Sequence, residues 1–485
     1  MLVRLSKNSF VRIVDDGDYA YIFNQLTFHD RCYIDAGVDI LSLLSRDPQD
    51  QDELASKIIN KYPEADPRQI YADTTDMLFS LAKAKFIVQG ESEEELKKKD
   101  ISFSYKVDNP KTLIEDYTQF TDEFVINTTE AFQLNHDAGK PRLSSIQFEL
   151  TGRCNERCIH CYIPNAKKDN GFTISFKTFK STIDQFVSLG GLHVTLSGGE
   201  ALLHPQIKEI LRYCREKDLQ ISLLSNLINL SEEIISVLKE VNMSIVQTSL
   251  YSMKAEIHDF ITTIPGSWDK TKNAILRLHE EDIPVQISCP VMKANVKGYK
   301  EVMRFAKSLK MKSQTDYIMM AQSDQNTQNL SNRISLEDTA ELIRDITEED
   351  TDYKRLIEEI QPSSSLPIKD YENMPLCGVG FNQICIAANG DLFPCAGWQG
   401  MIVGNIHEET LKNIWTDSEK LKELRQIRRK HFKKCLSCEA RDFCAMCMAR
   451  NYNECNGDLF TPPKHTCNVA FLNKHMAEER MNIKK

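Results

Sequence analysis

The chain has 485 residues, 15 cysteines and a formal net charge of -10. Hydrophobic content of 41% and charged content of 27% are those of an ordinary globular protein, and the length predicts roughly two to four domains. No apolar run is long enough to span a bilayer, and an acidic chain without a long basic stripe argues against nucleic acid or membrane as a partner.

The first residues, MLVRLSKNSFVRIVDDGDYAY, lack the apolar core of a secretory signal. That points to the cytoplasm, where thiols stay reduced, so many cysteines suggest metal or catalysis rather than disulfides. Residues 1–90 read as a small unit. FVRIVDD, AYIFNQLT and RCYID alternate like strands, and three helical patterns follow, the last with Pro67 in its first turn. Three strands and then three helices suggest a winged-helix-like module; a plain structural extension is the other reading. Residues 91–143, opening with the charge run ESEEELKKKD, read as a linker.

From residue 144 to 330 the rhythm changes. SSIQFEL, LHVTLSGGE, LQISLLSN, MSIVQTSLYS, IPVQISCPVM and SQTDYIMM read as strands, with helical segments between them. This alternation predicts parallel strands in βα units, and the count fits a partial (β/α)6 barrel of TIM type. In such barrels chemistry sits at the C-terminal ends of strands. Residues 331–376 read as a helical, polar connector. Residues 377–485 are cysteine-rich and irregular, with one helical stretch, ETLKNIWTDSEKLKELRQIRRK, and should fold around metal. The basic run IRRKHFKK within it reads as a solvated helix end.

Cys32, Cys214 and Cys289 are isolated in apolar segments and read as buried structural thiols. The remaining cysteines form two groups. Cys154, Cys158 and Cys161 stand in the loop GRCNERCIHCY at the spacing C-x3-C-x2-C, just after the strand IQFEL. Three thiolates do not complete a tetrahedral zinc site, though His160 or a remote residue could. They could instead hold three irons of a four-iron, four-sulfur cluster and leave the fourth iron open for a ligand. Ser197, Gly198, Gly199 and Glu200 end the next strand; glycines admit a close ligand and a carboxylate can pair with an ammonium. Asn226 and Ser249 end the following strands with short polar groups.

The cysteine loop after the first strand, GGE after the second and the six-fold βα rhythm resemble the radical S-adenosylmethionine superfamily. The resemblance implies a [4Fe-4S] cluster on Cys154, Cys158 and Cys161, whose open iron takes the amino and carboxylate groups of S-adenosylmethionine. It implies that His160 and Tyr162 flank the adenine, that Ser197, Gly198, Gly199 and Glu200 meet the amino group, and that Asn226 and Ser249 contact the ribose or methionyl end. Many relatives carry arginine after the HD that follows the fourth strand; here Thr262 stands in that place. The implied chemistry is one-electron cleavage of the sulfonium to a 5'-deoxyadenosyl radical, which takes hydrogen from an unactivated C–H bond.

Two C-x2-C pairs, Cys435–Cys438 and Cys444–Cys447, would alone also read as a zinc ribbon. The longer order, Cys377, Gly390, Cys395, then the two pairs, then Cys455 and Cys467, resembles the SPASM extension of peptide-modifying radical enzymes. That extension implies two auxiliary [4Fe-4S] clusters. One would use Cys377, Cys395 and Cys447, with Cys385 as a possible fourth ligand. The other would use Cys435, Cys438, Cys444 and Cys467. The gap before Cys447 is one residue shorter than the usual pattern. Gly390, in AANGDLFPC, predicts a hairpin that returns the chain to the first of these clusters.

Beside these domains, residues 1–90 resemble the recognition element that binds leaders of ribosomally synthesised, modified peptides. A leader would add as a strand next to RCYID, with apolar contacts from the third helix. The expected function is therefore a radical peptide maturase that installs an oxidative crosslink, first of all a cysteine thioether as in sactipeptide and ranthipeptide enzymes. Its partners would be a precursor peptide and a reducing electron donor such as flavodoxin or ferredoxin. Carbon–carbon or carbon–oxygen crosslinking, formylglycine formation in a sulfatase, and a zinc-bound peptide-binding protein are the alternatives. His258, Asp259 and Arg333 could assist as a base, but an ordinary cap or salt-bridge role fits each better.

Overall fold

The structure is a computed structural model that describes residues 1–14, 17–102, 125–126, 141–169, 171–349 and 368–483. Most of the expected linker and residues 350–367 of the expected connector lie outside the described residues.

The N-terminal unit contains the expected three strands and three helices, and more. β1 (Leu2–Leu5) precedes the antiparallel strands β2 (Ser9–Val14), β3 (Tyr19–Asn24) and β4 (His29–Ile34). Helix α1 (Ala36–Leu43) is followed by β5 (Gln49–Asp50), α2 (Gln51–Lys61) and α3 (Pro67–Lys83). Asp50 and Asp66 accept backbone N–H bonds at the starts of α2 and α3, and Pro67 opens α3 where its missing N–H costs nothing. β1 pairs with β5 on one side and with β6 (Ile87–Gly90) on the other, forming a second small sheet.

The charge run read as linker begins with structure. Glu93–Lys99 is a helix, α4, capped by Ser92, with acids in its first turn and lysines in its last. Leu96 is buried, and buried Asp100 accepts from Arg4, Ser6 and the Lys7 backbone. The expected boundary at residue 91 is therefore too early: one apolar residue and one buried carboxylate tie this segment to β1. β7 (Val125–Ile126) pairs antiparallel with β4 at Tyr33 and Cys32.

Residues 145–316 form the partial barrel. β8 (Ser145–Glu149), β9 (His193–Ser197), β10 (Gln220–Leu224), β11 (Ile245–Ser249), β12 (Val285–Pro290) and β13 (Lys312–Asp316) are parallel and lie in sequence order. The helices α5 (Phe176–Ser188), α6 (Ile207–Glu216), α7 (Glu232–Glu240), α8 (Ala255–Thr262), α9 (Ser267–Glu280) and α10 (Tyr299–Ser308) connect them. α8 was not foreseen; it carries the HD pair.

Alternate residues of the strands point opposite ways. Ile146, Phe148, Val194, Leu196, Ile221, Leu223, Val246 and Ile287 join the main core, where Phe148 packs on Phe179 of α5. The other set is polar. Gln147 donates to Ser197, Gln247 to Ser288 and Gln286 to Gln314, so the concave face is a hydrogen-bonded polar trough.

The cysteine-rich region joins this sheet. β14 (Gln383–Ile386) pairs in parallel with β8, and β15 (Asp391–Phe393) and β16 (Gly404–Asn405) continue it antiparallel. β14 and β15 form the hairpin expected at Gly390, which takes φ +88 and has no room for a Cβ against His407. The region is more helical than expected. The foreseen stretch splits at Ser418 into Leu411–Asp417 and Glu419–Gln426, and Met448–Glu454 and Lys464–Ile483 are further helices. Among the described residues no helix is long and apolar enough to cross a membrane.

The N-terminal unit docks on the barrel end opposite the cysteine loop. Arg12 donates to the carbonyls of Gly191, Lys217 and Asp218, which precede β9 and β10. Asn242, which precedes β11, donates to Lys7 and Asn8. The Phe23 ring meets His193 edge-on at 5.2 Å, at the base of β9.

Candidate functional site

The cysteine loop follows β8 and is laid across the strand ends by backbone bonds. Gly199 N and Glu200 N donate to Thr151 O and Arg153 O. Arg157 N and Ile159 N donate to Thr262 O and Ile261 O at the end of α8. Asn329 and Asn332 donate to the carbonyls of His160 and Ile159, and Ser323 N donates to Tyr162 O.

The glycines of the SGGE turn answer to this loop. A Cβ on Gly198 would stand 2.5 Å from Thr151 O, and one on Gly199 would stand 2.4 Å from Arg153 O. Contact with protein backbone, and not only ligand access, demands glycine here.

Glu200 departs from expectation. Its carboxylate is 2% exposed and accepts from Leu202 N, Ser225 Oγ and Asn226 N. It staples the turn after β9 to the end of β10, so the side chain expected to meet an ammonium is already engaged. Asn226 donates to Asn155 in the cysteine loop, and Ser197 accepts from Gln147. Ser249 closes β11 opposite Ser288 of β12.

Burial raises the Cys154 and Cys158 thiols, Cys154 to about 11. Cys158 Sγ lies 3.3 Å from Glu156 Oε2 and 3.9 Å from the Tyr251 hydroxyl. Tyr251, just beyond β11, also packs edge-on against His160 at 5.1 Å. Sequence reasoning passed over Glu156 and Tyr251. The first stands inside the motif, and the second reaches it only through the fold. Burial lowers the His160 pKa to about 4, and its Nδ1 has no partner among the described residues. An orphaned imidazole nitrogen next to three thiols fits a site built for a group that protein atoms do not supply.

The C-terminal thiols lie in two neighbourhoods. After burial, the neighbours that raise Cys395 to about 12 are Cys447 and then Cys377, and Cys447 raises Cys377 in turn. After burial, Cys435, Cys467 and Cys438 raise Cys444 to about 11. Those four line a cavity of ≈ 120 Å³. Among the described residues no three His, Cys, Asp or Glu side chains are gathered closely enough to hold a single ion. Cys385 is fully buried on β14 beside Glu149 and Cys395. Cys455 stands nearest Cys467 among the thiols.

Cys32, Cys214 and Cys289 are buried as expected. Asp259 accepts from Gly266 N, Ser267 and Trp268 N at the start of α9, His258 accepts from Tyr251 N, and Arg333 pairs with Glu454. These are structural roles, and Thr262 is buried within the same network, bonded to Ser267.

Glu149, which sequence reasoning also missed, ends β8 and is 7% exposed. Gln399 Nε2 donates to it at 2.8 Å, and burial pushes its carboxyl up to about 7.

Residues 148–306 match the radical SAM superfamily profile, and residues 377–439 match the iron-sulfur cluster-binding SPASM domain. An AdoMet-dependent heme synthase of Methanosarcina barkeri is 28% identical over 329 residues, 64% of this chain and 92% of that protein. The antilisterial bacteriocin subtilosin biosynthesis protein AlbA of Bacillus subtilis is 28% identical over 313 residues, 63% of this chain and 67% of AlbA. Streptococcus suis SuiB bound to precursor peptide SuiA shares the fold over 96% of this chain and 99% of its own, with a TM-score of 0.63 and 16% identity. The two matched domains imply S-adenosylmethionine, a radical SAM [4Fe-4S] cluster and auxiliary iron–sulfur clusters, which supersedes the zinc reading. The chain thus carries a radical SAM domain followed by a C-terminal SPASM domain.

Proposed function

We propose that this enzyme modifies a ribosomally synthesised precursor peptide and joins a cysteine sulfur to a carbon of the same peptide. The observation that carries the reading is the N-terminal unit. It is a strand-and-helix module docked on the barrel end opposite the cysteine loop, and the edge of its β4 pairs with an added strand, Val125–Ile126. A leader would pair along that edge, beside RCYID, in the place that β7 takes here. Exposed Tyr71 and Phe79 on α3 offer apolar contacts nearby.

In this reading residues 1–102 hold the leader, residues 145–316 the reacting segment, and residues 377–483 the auxiliary clusters. Cys154, Cys158 and Cys161 hold the radical SAM cluster, Cys377, Cys395 and Cys447 the first auxiliary cluster, and Cys435, Cys438, Cys444 and Cys467 the second. The bound cluster and S-adenosylmethionine supply a carbon-centred radical that abstracts hydrogen. The chain's own groups hold the cofactor: His160 and Tyr162 at the base, the backbone of Ser197–Gly199 and the side chains of Asn226 and Ser249 at the strand ends. The Gln and Ser side chains of the trough can bond the main chain of an extended peptide. A reducing donor of flavodoxin or ferredoxin type and a cytoplasmic setting complete the reading.

The test is anaerobic co-production with a small cysteine-containing peptide encoded beside the gene, followed by mass spectrometry with thiol alkylation. Loss of two hydrogens with the cysteine no longer alkylated is the expected result. The same loss with a free thiol would replace the thioether with a carbon–carbon or carbon–oxygen link. An unchanged peptide, with 5'-deoxyadenosine still formed, would overturn the peptide assignment.

A further inference from the structure

A cavity of ≈ 220 Å³ lies between the cysteine loop and the SPASM hairpin. It is smaller than the about 300 Å³ at which pockets for drug-sized ligands begin, so it suits one side chain. Ile163, Phe172, Phe393 and Ile402 give it apolar walls, and Glu149 lines it as well. Gln399 bonds Glu149 Oε1; among the described residues no side chain donates to Oε2. Lys167 acts on this carboxylate by charge, but its amine spends its hydrogen bonds on Gln399 Oε1 at 3.2 Å and Ser323 Oγ at 3.4 Å.

We propose that this cavity binds a long cationic side chain, lysine or arginine, of the peptide substrate. The inference rests on the peptide reading above. An aliphatic stem would lie along the apolar walls and its charged head would meet Glu149. The charge count agrees: Glu149 and Asp391 outnumber Lys167 among the lining residues, and one added cation balances them. The exit agrees too. Asp391 and Ile402 also line a wider groove that carries Glu408, Glu409, Asp417 and Glu419 against a single lysine, Lys420. Residues flanking the bound cation would leave across an acidic surface.

The experiment uses the cluster-loaded enzyme under anaerobic conditions and reads binding by ligand-observed NMR. The probes are Nα-acetyl-lysine methylamide, its arginine counterpart and Nα-acetyl-norleucine methylamide, which keeps the stem and lacks the charge. Saturation transfer to the lysine or arginine probe is expected, with at least tenfold weaker binding of norleucine. Glu149→Gln should weaken the cationic probes at least tenfold. Ile402→Trp, which narrows the exposed rim without touching β8, should block them. Equal binding of lysine and norleucine, or full lysine binding by a folded Glu149→Gln protein with normal iron content, overturns the proposal; so does absence of binding by any probe. None of these outcomes touches the peptide reading, which the mass change of the precursor tests separately.

Discussion

A carboxylate buried at a strand end is costly to keep, and Glu149 shows the cost as a pKa shift. Its folded value, raised from 4.5 to about 7, means that the unfolded chain releases this proton first as pH rises. Stability is untouched below about pH 4, falls between the two values and stays reduced above about pH 7. At 1.36 kcal/mol per unit the penalty is about 3 kcal/mol. Glu149→Gln, which keeps the shape without the charge, should therefore stabilise the protein by up to about 3 kcal/mol at pH 8 and leave it unchanged near pH 4. Denaturant melts at both pH values check this. A residue kept at such cost is expected to serve function. Cys154→Ala should abolish 5'-deoxyadenosine formation and lower iron content by about one cluster in three, measured by chromatography and iron assay.

The cysteine loop is an element without regular structure, and its shape comes from its neighbours. Gly199→Ala would press a methyl into Arg153 O, a backbone atom that cannot swing away. The expected cost is about 2 kcal/mol or more, together with loss of the radical SAM cluster and retention of the SPASM irons. Electron paramagnetic resonance of the reduced protein distinguishes the two. The same element shows what was legible. The C-x3-C-x2-C spacing, the strand ends and the hairpin at Gly390 stood in the sequence because each depends on residues close in the chain. The engagement of Glu200 by Ser225 and Asn226 did not, since the partners lie on another strand end. α8 was missed because it is only 8 residues long, too short for the Ile257, Phe260 and Ile261 spacing to stand out.

At the scale of the molecule, the N-terminal unit is joined to the barrel by an apolar cluster, in which Leu192 packs with Phe10, Val14, Tyr19 and Tyr21, and by polar contacts. Arg12 alone bonds three backbone carbonyls across that interface. Arg12→Ala leaves them unsatisfied and should loosen the unit. Limited proteolysis should then release residues 1–102 faster, while 5'-deoxyadenosine formation persists and modification of the precursor falls several-fold. Equal losses of both activities would mean that the unit supports the barrel rather than the peptide. The SPASM strand β14 extends the barrel wall beside β8, so cysteine substitutions in that domain should also lower barrel stability, read as a shared melting transition.

The sequence by itself determined the (β/α)6 rhythm and the three-thiol loop, because periodicity and spacing are local properties that the chain carries wherever it folds; the division of the C-terminal cysteines into two cluster sets came from a family resemblance. Only the tertiary structure decided that β14 pairs with β8, that Val125–Ile126 cover the edge of β4, and that Glu149, Gln399 and Lys167 meet. Each of these joins residues far apart in the chain, where pairing and burial depend on packing rather than on neighbouring residues.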